Sequence, residues 1–201
     1  MQQTEIDYLK DYLSDLPFMS DDSVKEGFLS TGQIERHKKG EIIIIAGEGE
    51  YRPRILLSGL IRVFFLNKEG ADVTNFFIYE KTYYGSDFLT MKKASVCSFE
   101  ALEDCMSLAL DKQVLKEILR KDIHLLLDYT GILEQSLNAK ILRENALITK
   151  SATERYLDLK KEYPDIEKRV SQTHIASYLG ISPVSLSRIR RAIREENKTT
   201  G

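Results

Sequence analysis

The sequence predicts an α+β chain: a β-barrel or jelly roll first, then a long helix, then a helix-turn-helix. Three observations carry this. Between about residues 33 and 110, short runs rich in β-branched residues recur between turn signals. From Asp111 onward the apolar pattern is helical, and the stretch 122–147 has no proline. Near the end, two short helical patterns in THIASYLGISPVSLSRIRRAIRE, residues 173–195, flank Leu179-Gly180-Ile181-Ser182.

In order along the chain, residues 4–30 read as one or two short helices. Asp21-Asp22-Ser23 suits a helix start, where acids meet the positive end of the dipole. Ile42–Ile45 is a buried-strand candidate, Gly47-Glu48-Gly49-Glu50 a turn, and Ile55–Leu66 a strand broken at Ser58-Gly59. Asn67-Lys68-Glu69-Gly70 is a hairpin loop and Val73–Tyr79 the returning strand, with further short strands near 96–102 and 105–110. Lys112–Arg120 is a helix, followed by a longer one from Asp122 to about Leu147. Its apolar row Leu126, Tyr129, Leu133, Leu137 and Ile141 runs beside a second row of Leu125, Ile132 and Leu142. That face is wider than packing on one surface requires, so a helix in contact with both its own barrel and a partner helix is expected, with a single intramolecular contact as the alternative. Residues 150–163 form another helix ended by Pro164, and 165–170 a charged link.

Composition narrows the class. Of 201 residues, 42% are hydrophobic and 30% charged, as in an ordinary globular chain with a real core. The start, MQQTEIDYLKDYL, has no apolar core of a signal peptide, and the longest aliphatic runs fall far short of the roughly 20 apolar residues of a membrane span. Cys97 and Cys105 make no disulfide framework, so a reducing, cytoplasmic setting without membrane association is expected. The net charge of −2 hides an asymmetry: residues 168–201 carry seven Lys/Arg and two acids, +5, leaving −7 on the rest. A basic end on an acidic body suits a polyanion, although charge alone favours a solvated helix face.

The helix pair decides between these. Ser171 can cap the first helix, and Gly180 supplies the positive φ of a tight exit. Ser182 is a good N-cap, and Pro183 at the first helical position gives up no needed N–H. Ile175, Ala176 and Leu179 share one face of the first helix; Leu186, Ile189 and Ile193 turn inward on the second. Val184, Ser185, Ser187, Arg188 and Arg191 are left outside. Arg can fork onto a guanine edge, Ser and Thr reach base edges or phosphates, and amides at a helix start favour phosphate oxygens. The candidate DNA-binding set is therefore Gln172, Thr173, Ser182, Pro183, Val184, Ser185, Ser187, Arg188, Arg190, Arg191 and Arg194. Arg188, Arg191, Ser185 and Ser187 are assigned to bases or their neighbourhood, and Gln172, Thr173, Arg190 and Arg194 to phosphates.

A β-rich N-terminal part, a long helix and a C-terminal helix-turn-helix together resemble the Crp/Fnr family of bacterial transcription regulators. The most specific segments are SQTHIASYLGISPVSLSRIRR at 171–191 and GEGEYRPRILLSGLIRVFFLNKEG at 47–70. The resemblance implies a cyclic-nucleotide-binding-like jelly roll over 1–120, a dimerisation helix over 121–148 and a winged helix-turn-helix over 149–201. It implies a homodimer on near-palindromic double-stranded DNA, with base reading by Ser182–Arg188 and RNA polymerase as a further candidate partner. Where the family's recognition helix begins with Arg-Glu after the serine, this chain has Pro183-Val184, so its operator should differ from that of the cyclic-AMP-responsive members, and Val184 would suit a thymine methyl. Little sequence follows the recognition helix, so most of the last wing is expected to be missing.

The effector side departs further. Cyclic-nucleotide binders carry Gly-Glu at the sugar and Arg-Ser at the phosphate; the matching places here hold Gly85-Ser86 and Ser95-Val96. The candidate effector pocket is Tyr84, Gly85, Ser86, Ser95, Val96, Cys97 and Tyr129. A cyclic phosphate buried there without arginine is costly, and Lys92 and Lys93 are poor substitutes for a planar fork. No binding of cyclic AMP or cyclic GMP is expected, and the effector is unidentified. Two cysteines are too few for an iron–sulfur cluster, His37, His124 and His174 sit in no recognisable motif, and no metal site or enzyme constellation is seen. The rival reading is a small-ligand sensor whose helical end docks a protein partner; a redox switch on Cys97 and Cys105 is a third.

Overall fold

The computed structural model describes residues 3–15, 22–48, 52–85 and 94–199. Helices α1 (Gln3–Ser14) and α2 (Asp22–Thr31) precede eight strands: β1 (Gln33–His37), β2 (Ile42–Ile44), β3 (Arg54–Ser58), β4 (Ile61–Leu66), β5 (Asp72–Ile78), β6 (Tyr83–Tyr84), β7 (Ser98–Ala101) and β8 (Cys105–Ala109). Six helices follow: α3 (Lys112–Lys121), α4 (Ile123–Thr149), α5 (Ala152–Glu162), α6 (Ile166–Arg169), α7 (Gln172–Leu179) and α8 (Pro183–Thr199). The chain divides into two compact units, one of residues 1–63 and 77–136, the other of residues 64–76 and 137–201. The tip of the β4–β5 hairpin thus groups with the C-terminal helices, whereas the sequence places it with the jelly roll.

The strands form two four-stranded sheets in the orders β1-β8-β3-β6 and β2-β7-β4-β5, the interleaved antiparallel order of a jelly roll. In the first sheet Ile34 lies opposite Leu108 and Glu35 opposite Ser107. Strand β3 is buried along nearly its whole length. Ile55 and Leu57 join a core with Leu9 and Leu13 of α1, Phe28 of α2, Leu115 and Leu119 of α3, and Leu125 and Tyr129 of α4. Leu56, between them, is fully buried on the alternate face. Apolar spacing on α3 and the start of α4 therefore serves to cover one sheet.

Three expectations need correction. Ile42–Ile45 is not a buried strand: Ile42 and Ile45 are 42% and 49% exposed, because β2 is the edge of its sheet and shifts register between Ile42 and Ile44. The polar strand β1 and the two-residue β6 went unread, since neither carries a β-branched run. The charged link contains a helix, α6, around the fully buried Ile166. Gly49 and Glu50 of the proposed turn lie outside the described residues; Gly47 does turn there, at φ +84°.

In the second unit Tyr156, Leu159, Ile166, Val170, Ile175, Ala176, Leu179 and Leu186 are buried. The hairpin tip closes with the Asn67 N–H on the Ala71 carbonyl at 2.9 Å, and the Asn67 side-chain oxygen takes the Glu69 and Ala71 amides.

Candidate nucleic-acid interface

Local chemistry builds the helix pair. Ser171, in extended backbone, accepts the His174 N–H at 3.2 Å and opens α7. Gly180, at φ 69° and ψ 32°, closes it: its N–H reaches the Ala176 and Ser177 carbonyls, and the Ile181 N–H returns to Ala176 at 3.0 Å. This double closure satisfies carbonyls that a helix end leaves orphaned. Arg155 of α5 adds a donor on the Leu179 carbonyl at 3.0 Å, a cation at the negative end of α7. Ser182 then accepts the Ser185 N–H at 3.1 Å, and Pro183 begins α8.

Helix α8 has two faces. Leu186 is fully buried, and Ile189 and Ile193 are half-buried. Pro183, Val184, Ser187, Arg188, Arg191 and Arg194 are exposed, as are Gln172 and Thr173 at the start of α7. Val184, Ser187, Arg188 and Arg191 recur at three- and four-residue spacing, so they form one outward row. Ser185 is half-buried, and its hydroxyl meets the Ser182 hydroxyl at 2.9 Å. Arg191 pairs with Glu195 at 2.8 Å, but both are largely exposed, and such a pair yields readily to a stronger anion.

Arg190 is placed differently from its neighbours. It is half-buried, and its Nε lies 2.8 Å from Glu167 Oε1. The Tyr156 hydroxyl donates to the same oxygen at 2.6 Å, and Lys160 stands 3.3 Å from the other. Burial by itself would raise the Glu167 carboxyl, but Tyr156, Arg190 and Lys160 outweigh it and hold the carboxyl below its ordinary value. Arg190 thereby ties α8 to α5 and α6. Sequence reasoning missed Glu167, whose only signal was an acid inside a charged link.

The effector candidates fall into separate groups. The Tyr84 hydroxyl meets Ser107 Oγ at 2.7 Å inside the sandwich. Gly85, at φ +69°, leaves room only for hydrogen: a Cβ there would stand 2.7 Å from the Arg52 carbonyl oxygen and 3.4 Å from an Arg54 nitrogen. Ser95 is buried, accepts the Gly47 N–H at 2.7 Å through its carbonyl and donates its hydroxyl to the Cys97 carbonyl. Val96 is 69% exposed and Cys97 half-buried. Tyr129 belongs to the helix-covered core with Leu115, Leu119 and Leu125. Ser86, Lys92 and Lys93 lie outside the described residues. Two buried arginines went unread: Arg54 donates to Glu35 at 2.6 Å, and Arg62 to Glu100 at 2.9 Å. Cys105 is buried and its thiol is pushed up by burial, which disfavours the reactive thiolate. Among the described residues no cluster of three or more His, Cys, Asp or Glu is placed to hold a metal, and no helix is long and apolar enough to cross a membrane.

The row on α4 changes character along its length. Leu126 is half-buried and Tyr129 buried, whereas Leu133, Leu137 and Ile141 are 37%, 59% and 53% exposed. The second row changes likewise, from buried Leu125 to Leu142 at 61%.

Residues 34–122 match the family model described as the cyclic nucleotide-binding domain. No curated protein matches the sequence. Solved structures are similar over most of the chain. FixK2 from Bradyrhizobium japonicum aligns with TM-score 0.71 at 16% identity, covering 83% of this chain and 86% of its own. CLP, a c-di-GMP-responsive global regulator from Xanthomonas campestris, aligns with TM-score 0.71 at 15% identity over 88% and 93%. A transcriptional regulator of the Crp/Fnr family from Eubacterium rectale aligns with TM-score 0.68 at 17% identity over 88% and 84%. The architecture of jelly roll, long helix and C-terminal helices is shared with these proteins.

Proposed function

We propose that this chain, with the fold of the Crp/Fnr transcription regulators and a cyclic-nucleotide-binding-type domain at residues 34–122, is a homodimeric, sequence-specific regulator that binds double-stranded DNA. The observation that carries the reading is the outward row Val184, Ser187, Arg188 and Arg191 on a capped helix whose opposite face is buried. In the major groove that row meets base edges, with Arg188 forking onto guanine and Val184 packing on a thymine methyl. Gln172, Thr173 and the free amides at the start of α7, with Arg194, hold phosphates. The exposed part of α4 meets its counterpart in a second chain, so that two α8 helices lie one helical turn apart, about 34 Å. RNA polymerase is a further partner, and two free cysteines fit a cytoplasmic setting.

The jelly roll takes an effector other than cyclic AMP or cyclic GMP. The resemblance matches Ser95 to the arginine that holds the phosphate in cyclic-nucleotide binders, and both buried arginines named above are already held by carboxylates. Such an effector acts by shifting the placement of the two recognition helices. The test is selection of bound duplexes from a random pool by the ligand-free protein. A two-fold symmetric motif supports the reading; no enrichment by a folded dimer, with weak salt dependence, favours a sensor that docks a protein partner. Micromolar binding of either cyclic nucleotide in calorimetry would overturn the effector assignment.

A further inference from the structure

Arg143, in the second unit, has a use that DNA contact does not supply. It lies on α4, half-buried, and burial pulls its pKa down from the ordinary guanidinium value. No carboxylate among the described residues pairs with it. Its partners are the Tyr178 carbonyl at 2.9 Å, the Thr74 carbonyl at 3.5 Å and the face of the Tyr178 ring, 4.0 Å from the guanidinium carbon. A cation over a ring and against the last carbonyls of a helix is held by quadrupole and dipole. Thr74 is fully buried and sits on β5, the edge of its sheet. Its N–H donates to Ser177 Oγ of α7 at 2.9 Å. A strand edge normally leaves such amides open; here a helix side chain closes one. The Thr74 N–H thus reaches α7 and its carbonyl reaches Arg143 of α4, so the strand edge is tied to both helices.

We infer that Arg143 is a positioning residue for the recognition helix. With Ser177 it locks α7, and through the Gly180 turn α8, to the β4–β5 hairpin and the long helix. The consequence is a fixed angle between α8 and α4, and hence, in a dimer, a fixed distance between two half-sites. This rests on the proposed DNA-binding reading, so the test has one arm that needs DNA and one that does not.

The arm without DNA is amide exchange on the full chain. Ser177→Ala should speed exchange at the Thr74 amide by about tenfold or more, while the Asn67 amide at the hairpin tip keeps its rate. An unchanged Thr74 rate overturns the lock. The second arm uses duplexes carrying the selected half-site twice, with spacing stepped by single base pairs. Wild type should show a sharp optimum. Arg143→Met and Ser177→Ala should flatten it, losing about tenfold at the best spacing, while the half-site motif and the salt slope, which counts phosphates, stay as in wild type. Arg143→Lys, which keeps the charge and one donor, should recover part of the preference. A wild-type spacing profile in both Arg143→Met and Ser177→Ala overturns the positioning role. If Arg143→Met unfolds, Ser177→Ala, which removes one half-buried hydroxyl, carries the test. Should wild type select no symmetric motif, the DNA-binding reading falls, and the exchange arm alone decides the lock.

Discussion

Replacing Gly180 with alanine isolates one term in the stability of the helix pair. The residue sits at φ 69° and ψ 32°, in the left-handed region, where an L side chain crowds the backbone at a cost of about 1–2 kcal/mol. Alanine also restricts the unfolded chain, which returns about 0.4–1 kcal/mol. Space adds nothing: an added Cβ would meet only Leu147 Cδ2, at 3.8 Å, an ordinary contact. The expected loss is about 1 kcal/mol, read as a fall in melting temperature of about 2–4 °C by far-ultraviolet circular dichroism. Asparagine tolerates the left-handed region, so Gly180→Asn should be nearly neutral. Gly59 provides the contrast. It has φ +97°, and a Cβ there would lie 2.7 Å from Cys105 Sγ and 2.8 Å from the Asp104 carbonyl oxygen, which is backbone and cannot step aside. Gly59→Ala should therefore cost about 3 kcal/mol or more, from strain and overpacking together. Equal losses at the two glycines, or equal losses for alanine and asparagine at 180, would refute the reasoning.

Four further outcomes are expected. Arg188→Ala should relax selection at one base pair per half-site, at about 1–3 kcal/mol, and an unchanged selected motif rejects its assignment. Arg190→Ala should instead lower stability by about 1–2 kcal/mol, through its lost bond to Glu167, with little change in the salt slope of DNA binding; a slope reduced by about one returns Arg190 to the phosphates. The depressed Glu167 carboxyl stabilises the fold above its unfolded pKa, near 4.5, and that contribution disappears as pH falls through the lower folded value. The acid limb of wild-type stability should accordingly be steeper than that of Glu167→Gln, and coincident limbs would show the carboxylate to be idle. Leu137→Asp places a charge in the exposed row of α4 and should turn a dimer into a monomer in sedimentation without unfolding the chain; an unaltered dimer excludes that row from the interface.

The helix-turn-helix was legible because its signals are local. Ser171, Gly180, Ser182 and Pro183 act within four residues of themselves, and the structure shows each where cap and turn chemistry puts it. The jelly roll was legible as alternation and turns, but its order was not, since pairing β3 with β8 depends on contacts about fifty residues apart. Ile42–Ile45 misled because an aliphatic run looks the same at an edge as in a core. The pairing of Arg190 with Glu167 was not legible, because the two are twenty-three residues apart and meet only through α6. The width of the α4 face announces a helix that covers the barrel and also leaves apolar surface over, but where one part gives way to the other is a matter of tertiary packing that periodicity does not contain.

The two faces of α8 bear on how such a protein changes over evolutionary time. Folding of the helix pair rests on Ile175, Ala176, Leu179, Leu186 and the caps, while the outward row rests on Val184, Ser187, Arg188 and Arg191. The two sets share no residue. Substitutions in the outward row, away from any buried contact, cost within about 0.5 kcal/mol. After a gene duplication, one copy can exchange those few side chains, and with them whatever the outward face of α8 contacts, and remain foldable at every intermediate step.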